Sequence, residues 1–374
     1  MKKHNFVIMR YSLLTKEGVE WQIGRQEFDN YKEQLFNASR LAQHEFLFEN
    51  VTLPSLVNQT IEPTADNFTL LVLTSELLPE KSLKKLEDLL RPYPWAKVIS
   101  LPPYDTVDNI ILDCFTEELK RFNHDLTYST TRLDDDDGLS VHFIERLNQY
   151  VDPQFEGYCV TFPNGFSALY DDRLQKYISI HKHYAPKIAL GLSYINTYDS
   201  VTKNTGNEIP TIYHNGVHSK VDFVSPTIMD SKYPTFLRTV HSASDSNNAN
   251  QVKKIKSLPV SKTEDIEEVF PLHAGLFTSS ETLSTYLSTP TKVSKKENEL
   301  KPTQRLENEM KNLKNEISVL YKENENLKDE VKELVKQKKM FKDKYMNIQE
   351  SRIWRYTKPI REAGITVKRL IRNK

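Results

Sequence analysis

Arg132-Leu133-Asp134-Asp135-Asp136-Asp137-Gly138 decides how this chain is read. The run ahead of it, Leu126-Thr127-Tyr128-Ser129-Thr130-Thr131-Arg132-Leu133, is rich in β-branched and aromatic residues and reads as a strand. Behind the acids, Leu139-Ser140-Val141-His142-Phe143-Ile144-Glu145-Arg146-Leu147 reads as a helix. Four carboxylates therefore fall at the C-terminal end of a strand, where open α/β sheets place their ligands. Two like charges about 4 Å apart repel by ~1 kcal/mol in water and by ~4 kcal/mol at an effective dielectric of about 20. A solvated acidic turn avoids most of that cost and is the plain alternative. A partly buried cluster needs a cation, and hard oxygen ligands suit Mg²⁺, Mn²⁺ or Ca²⁺.

Upstream, the pattern repeats. Phe6-Val7-Ile8-Met9, ending at Arg10-Tyr11, reads as a buried first strand. Gln26 to Phe48 is mostly helical, with Phe28, Tyr31, Leu35 and Phe36 at helical spacing. Leu53-Pro54-Ser55-Leu56 starts a short connection, and Phe68 to Leu73 is a second strand. Pro79 opens a helix carrying Leu83, Leu86, Leu89 and Leu90. Ala96 to Leu101 is a third strand. Asp105 or Thr106 can cap a helix that runs to about Phe122, with Ile110, Ile111, Cys114, Phe115 and Leu119 inward. Strands alternating with helices predict a mostly parallel sheet with crossover helices. Neither G-x-G-x-x-G nor G-x-x-x-x-G-K-[ST] occurs, so a bound nucleotide would be held without those glycine loops.

Downstream of residue 150 the chain is polar and less regular. Gly157 to Phe162, followed by Pro163-Asn164-Gly165-Phe166, reads as a hairpin through Asn-Gly, and Asn-Gly recurs at Asn215-Gly216. His181, His183, His214, His218 and His241 concentrate here, in what reads as the half that shapes a second substrate site. Tyr233 to His241 is apolar and ordered, and Ser242 to Asn248 is a polar loop. A histidine at that junction could ligate a metal or phosphate, or be an ordinary surface residue.

Residues 281–302, rich in Ser, Thr, Lys and Pro, read as a linker. Leu306, Leu313, Leu320, Leu327, Leu334, Phe341 and Ile348 then repeat every seven residues, with Met310, Ile317, Asn324, Val331, Lys338 and Tyr345 four after them. These are d and a positions, and leucine at d with Ile and Val among the a residues favours a parallel dimer through residues 303–349. Asn324 at an a position fixes register, and the helix would be roughly 70 Å long. From Ser351 to Lys374 eight residues are basic and Glu362 is the one acid. With Trp354 and Tyr356, residues 351–374 fit an in-plane helix on an anionic membrane surface; a solvated tail or a protein-binding tail are the alternatives.

Composition bounds the class. The chain has 374 residues with 51 basic and 51 acidic, a net charge of zero that argues against general nucleic-acid binding. Cys114 and Cys159 fit a reducing compartment and exclude a disulfide scaffold. Met1-Lys2-Lys3-His4-Asn5 leads into a short apolar run carrying Arg10, which is not a signal peptide. No apolar run approaches the ~20 residues of a membrane span. The expectation is a cytoplasmic protein, peripheral on the inner face of the cell membrane.

Four segments together resemble the rhamnosyltransferase family of bacterial glycosyltransferases over about residues 4 to 250: Phe6 to Ser12, Leu53-Pro54-Ser55-Leu56-Val57-Asn58-Gln59-Thr60, Thr131 to Asp137, and Arg238-Thr239-Val240-His241 with Asp245-Ser246-Asn247. The segment Ser351 to Arg361 also looks like one found after coiled coils in polysaccharide-building glycosyltransferases. The resemblance implies an α/β, GT-A-like fold: a Rossmann-type mixed sheet flanked by helices and bearing an Asp-x-Asp motif, followed by the coiled-coil helix. It implies residues 1–280 as the catalytic domain, with 1–137 binding the nucleotide sugar and 138–280 the acceptor, and residues 350–374 as a basic tail. Mn²⁺ or Mg²⁺ would bridge the donor diphosphate. Asp136, Asp137 and His241 would be the metal ligands, although Asp135 and Asp137 fit the spacing equally. Asp134 would face the ribose or donor sugar, Arg10 would contact the nucleotide, Arg132 would hold the acidic loop or the diphosphate, and Arg238 would help bind the donor. An inverting enzyme also needs a carboxylate base; Glu156, Asp222 and Asp230 are candidates, with Asp222 set beside Asp134 and Asp136 as catalytic.

The implied reaction moves a sugar, which the family label makes rhamnose and the residues leave open, from a nucleotide-sugar donor to a hydroxyl of a glycan or lipid-linked glycan. Two other classes compete. A metal-dependent phosphohydrolase would use the same acids without an acceptor, and a non-catalytic coiled-coil tether would bind no nucleotide sugar.

Overall fold

The computed structural model describes residues 1–15, 28–103, 107–244 and 249–278, together with Lys338 and Met340. Contacts divide the chain into two units, Met1–Ser288 and Thr289–Lys374. In the second unit only Lys338 and Met340 are described, both helical, so the expected coiled coil and basic tail lie outside the described residues.

The first unit begins with the parallel strands read from sequence. These are β1 (Lys2–Arg10), β2 (Phe68–Ser75), β3 (Ala96–Leu101) and β4 (Leu126–Asp134). Next come β5 (Gly138–Leu139), β6 (Cys159–Thr161), β7 (Asn164–Asp171) and β8 (Lys176–Tyr184). The last four are β9 (Ser193–Asp199), β10 (Asn204–Thr205), β11 (Thr227–Met229) and β12 (Phe236–Val240). The main sheet has the order β11-β6-β9-β4-β1-β2-β3, with β10 on β9. β4, β1, β2 and β3 are mutually parallel, and β9 lies antiparallel between β4 and β6. Strands from both halves of the chain therefore share one mixed α/β sheet.

β1 and β2 are buried on both faces, as interior parallel strands must be. Their side chains alternate between two cores. Val7, Met9, Leu70 and Val72 join Leu86, Leu90 and Phe143 on one face. Phe6, Ile8, Leu71 and Leu73 join Ile110, Phe115 and Tyr194 on the other. The first core is covered by α4 (Glu80–Leu90) and the second by α5 (Val107–Leu119).

The helical stretch from Gln26 resolves, where described, into α1 (Phe28–Leu35) and α2 (Ala38–Leu47). It does not stop there. The chain stays helical through a π turn at Phe48–Thr52 into α3 (Leu53–Val57), where the sequence reads as a connection. Pro54 stands in the first turn of α3, directly after the π turn.

A second sheet, ordered β5-β12-β7-β8, explains two differences from the sequence reading. First, Gly138 and Leu139 do not begin a helix. They pair with Leu237 and Phe236 of β12, and Ser140 N–H donates to the Thr235 carbonyl at 2.9 Å. The helix is reduced to α6 (Phe143–Leu147). Second, the Asn164-Gly165 hairpin does not form, because β6 belongs to the main sheet and β7 to the second. Gly165 instead lets β7 approach β12, since a Cβ there would lie 2.4 Å from the Phe236 carbonyl oxygen. Nor is Asn215-Gly216 a hairpin. It separates two 3₁₀ turns, Ile212–Asn215 and His218–Phe223, and Gly216 has φ +74°.

The consequence for the site is positional. The acids leave the main sheet at β4 and enter the second sheet at β5, while β12 leaves the second sheet toward His241. The first unit is completed by α7 (Ala249–Lys256) and α8 (Glu264–Glu267).

Candidate active site

The segment that follows the acidic loop, residues 140–144, is held by Gln59 and Thr60. Gln59 Nε2 donates to the carbonyls of Ser55 and Ser140 at 2.6 and 2.8 Å, and its Oε1 accepts from Ile144 N–H at 2.9 Å. Thr60 N–H donates to the Val141 carbonyl at 2.7 Å. Gln59 is buried, so these bonds also satisfy backbone groups that water cannot reach.

Each of the four acids faces a different neighbour. Asp134 stands in register with Arg10 at the ends of β4 and β1. Burial raises its pKa, the Arg10 and Arg132 charges pull it down, and Asp136 and Asp135 push it up. Both arginines approach the Tyr213 ring, with Cζ 5.6 and 4.7 Å from its centroid, and the Tyr213 hydroxyl donates to the Ile8 carbonyl at 3.0 Å. Asp135 Oδ1 accepts from Nδ1 of His44, on α2, at 2.9 Å. Asp136 Oδ2 accepts from Nε2 of His241 at 2.8 Å. Burial pushes Asp136 up, but the hydrogen bond from His241 and the Arg40 charge leave it below the usual carboxylate range. Asp137 Oδ1 accepts from Thr239 N–H on β12 at 2.7 Å. Burial and then the Asp136 and Asp134 charges push Asp137 well above its usual range.

His44, Asp136 and His241 each offer one ligand atom, and the three atoms lie within 4.8 Å of one another. All three residues are buried. The two rings are 5.1 Å apart at 76°. Nε2 of His44 and Nδ1 of His241 are buried without a hydrogen-bond partner. Buried polar atoms of that kind are costly unless something completes them, and a divalent cation fits the nitrogen and oxygen donors present.

A cleft of about 220 Å³ opens over this cluster. Asp134 to Asp137, Arg10, Arg40, His44 and Arg238 line it. Arg132 and His241 are not among its lining residues: Arg132 stacks on Tyr213, and His241 holds Asp136. The other expected acids are elsewhere. Asp222 is exposed and paired with Lys187 Nζ at 2.7 Å. Glu156 accepts from the Thr197 hydroxyl, and Asp230 accepts from the Tyr150 hydroxyl at 3.2 Å with Arg146 at 3.5 Å. None of the three lines the cleft.

His218 does line it. Its Nδ1 lies 2.7 Å from the Lys187 carbonyl oxygen. A carbonyl only accepts, so Nδ1 carries the proton and the neutral ring keeps Nε2 as its basic atom. The sequence reading passed over His44, His218 and Gln59. For His44 a signal was present: it shares the buried face of α2 with Leu41 and Leu47, an unusual place for a polar ring.

The family model described as "Putative rhamnosyl transferase" matches residues 5–253. No curated protein matches. Among solved structures the chain is similar to residues 1–349 of S. aureus TarS, with 12% identity, 82% of this chain and 77% of that one covered, and a TM-score of 0.30. It is also similar to mouse xyloside xylosyltransferase 1 in its apo form, with 13% identity, 46% and 53% covered, and a TM-score of 0.20.

Proposed function

The chain belongs to the rhamnosyl transferase family and is a glycosyltransferase, and on that premise we propose that it moves a sugar from a nucleotide-diphosphate donor to a hydroxyl of a growing surface glycan, with a divalent cation in the cleft. The observation that carries the reading is the convergence of Arg10, Asp134, His44 and Asp136 on one cleft at the ends of β1 and β4, with His241 bonded to Asp136. Asp136 and His241 would hold the cation. When bound, it would neutralise charge that builds on the departing nucleotide diphosphate. Asp134 would accept hydrogen bonds from ribose or sugar hydroxyls. Arg10 and Arg238 would face the diphosphate, and Tyr213 would keep Arg10 and Arg132 oriented. Asp137 would tie the loop to β12 through Thr239.

The acceptor hydroxyl needs a base if the reaction inverts. His218 supplies a basic nitrogen within the cleft, where Asp222 does not reach. Rhamnose is the donor sugar to try first.

The same reading extends to the C-terminal region. Residues 303–349 would pair two copies, and residues 351–374 would hold them at an anionic membrane surface, on the cytoplasmic face. No helix among the described residues is long and apolar enough to cross a membrane.

Calorimetry with a panel of nucleotide sugars, with and without Mn²⁺, tests the reading on wild type and Asp136→Asn. One donor should bind in a metal-dependent way and lose that binding in the variant. Folded wild type that binds no donor in the presence of metal would overturn the reading.

A further inference from the structure

We propose that His44 is a direct ligand of the cation, held by Asp135, so that two imidazoles and one carboxylate form the site and Mn²⁺ is preferred to Mg²⁺. The inference rests on the metal-dependent reading above and goes beyond the Asp-x-Asp pattern in two residues. The motif reading gives the cation two adjacent carboxylates and His241. In the structure one of those carboxylates, Asp137, has an oxygen committed to Thr239 N–H of β12. The place is taken by His44, from a helix ninety-one residues upstream of Asp135.

The chemistry of His44 is set by its partner. Asp135 is a hydrogen-bond acceptor, so Nδ1 of His44 carries the proton and points it at Oδ1. With Nδ1 protonated, the neutral ring leaves Nε2 as a bare lone pair. That atom is buried, has no donor facing it, and belongs to a residue 5% exposed. Two closed histidine–carboxylate pairs with no cation would leave this lone pair unanswered. A carboxylate that fixes the tautomer and orientation of a ligating imidazole is the usual support of such a ligand. Asp135 is therefore a positioning residue.

The ligand set decides the metal. Mg²⁺ favours oxygen ligands and retains its waters. Imidazole nitrogen suits the transition ions, whose affinity for such sites rises along the series from Mn²⁺ toward Cu²⁺. Replacing one carboxylate by an imidazole also lowers the site's negative charge, which weakens a hard cation most.

The test uses the full chain and Mn²⁺ alone, read by electron paramagnetic resonance and by calorimetry. Wild type should show two imidazole-nitrogen couplings to the bound Mn²⁺, and a hundredfold excess of Mg²⁺ should not displace it. His44→Asn should retain one nitrogen coupling and bind at least about tenfold more weakly. Asp135→Ala should retain both couplings and bind about 10- to 100-fold more weakly. A single nitrogen coupling in wild type, unchanged affinity in His44→Asn, or ready displacement by Mg²⁺ would overturn the proposal. The wild-type couplings and the Mg²⁺ competition decide the matter even if a variant does not fold. Absence of Mn²⁺ binding by wild type would also overturn it, and donor binding in the presence of chelator would then show whether the glycosyltransferase reading stands without it.

Discussion

Asp134, Asp135, Asp136 and Asp137 are consecutive in sequence, yet their hydrogen bonds and charges run to β1, α2, the chain after β12, and β12 itself. A tight turn fans adjacent side chains outward, so spacing along the chain said little about which acids would share a ligand. The motif, Arg10 and His241 were legible because each stands at or just beyond the end of a strand that composition marks clearly. The place of His44 on the apolar face of α2 was legible but its role was not, because that depends on a helix and a loop meeting across ninety-one residues. The sequence does not carry exposure: Asp222 faces solvent and Lys187 and does not line the cleft. Two substitutions separate these roles. His218→Gln should lower turnover by roughly 10²- to 10⁴-fold, the usual worth of a general base, while leaving donor affinity measured by calorimetry unchanged. Asp222→Asn should leave turnover near wild type, since an exposed pair contributes little.

Elements were read well where burial alone decides them. β1, β2, β3 and β4 were all recovered from runs of apolar and β-branched residues, and α4 and α5 from their apolar stripes. They were misread where a local signal had two uses. Asn164-Gly165 carries the composition of a turn, but the glycine serves a close crossing of β7 and β12. Gly165→Ala should therefore destabilise by about 2 kcal/mol or more, because the Phe236 carbonyl and ring both stand in the way of a methyl group; a shifted urea midpoint would show it. At the other side of the site, Asn37 caps α2, its Oδ1 accepting from the N–H groups of Ser39 and Arg40 at 3.0 and 3.3 Å. Asn37→Ala should cost about 1 kcal/mol by the same measurement, and it should loosen the helix that presents His44.

Across the whole first unit, buried histidines contribute to the response to acid. Burial lowers His4 to about 4, against a raising hydrogen bond to the Asp66 carbonyl, and its ring also bonds Thr69 Oγ1 at 2.8 Å. Burial, then the Arg238 and Lys254 charges, lower His183 to about 4 as well. Both values lie below that of an unfolded histidine, so the unfolded chain binds more protons between them. The contribution of these two histidines to stability is complete above about pH 6.5 and falls as the pH drops toward 4, by up to ~1.4 kcal/mol per pH unit for His4. His4→Gln should flatten that slope in denaturant titrations at pH 4 to 7. Sedimentation of the full chain should give a dimer, which truncation at residue 302 converts to a monomer, if the heptads pair as their spacing expects. A last consequence comes from where the acidic loop runs. Asp136 travels with the main sheet and His241 with the second, so the bond between them is a clasp between two layers. Any cation that draws these groups together does mechanical work on the architecture. Loading the site should slow amide exchange in β5 and β12, at the seam, and leave the interior of β1 and β2 as it was. The enzyme would then sense its own readiness through the grip of one layer on the other.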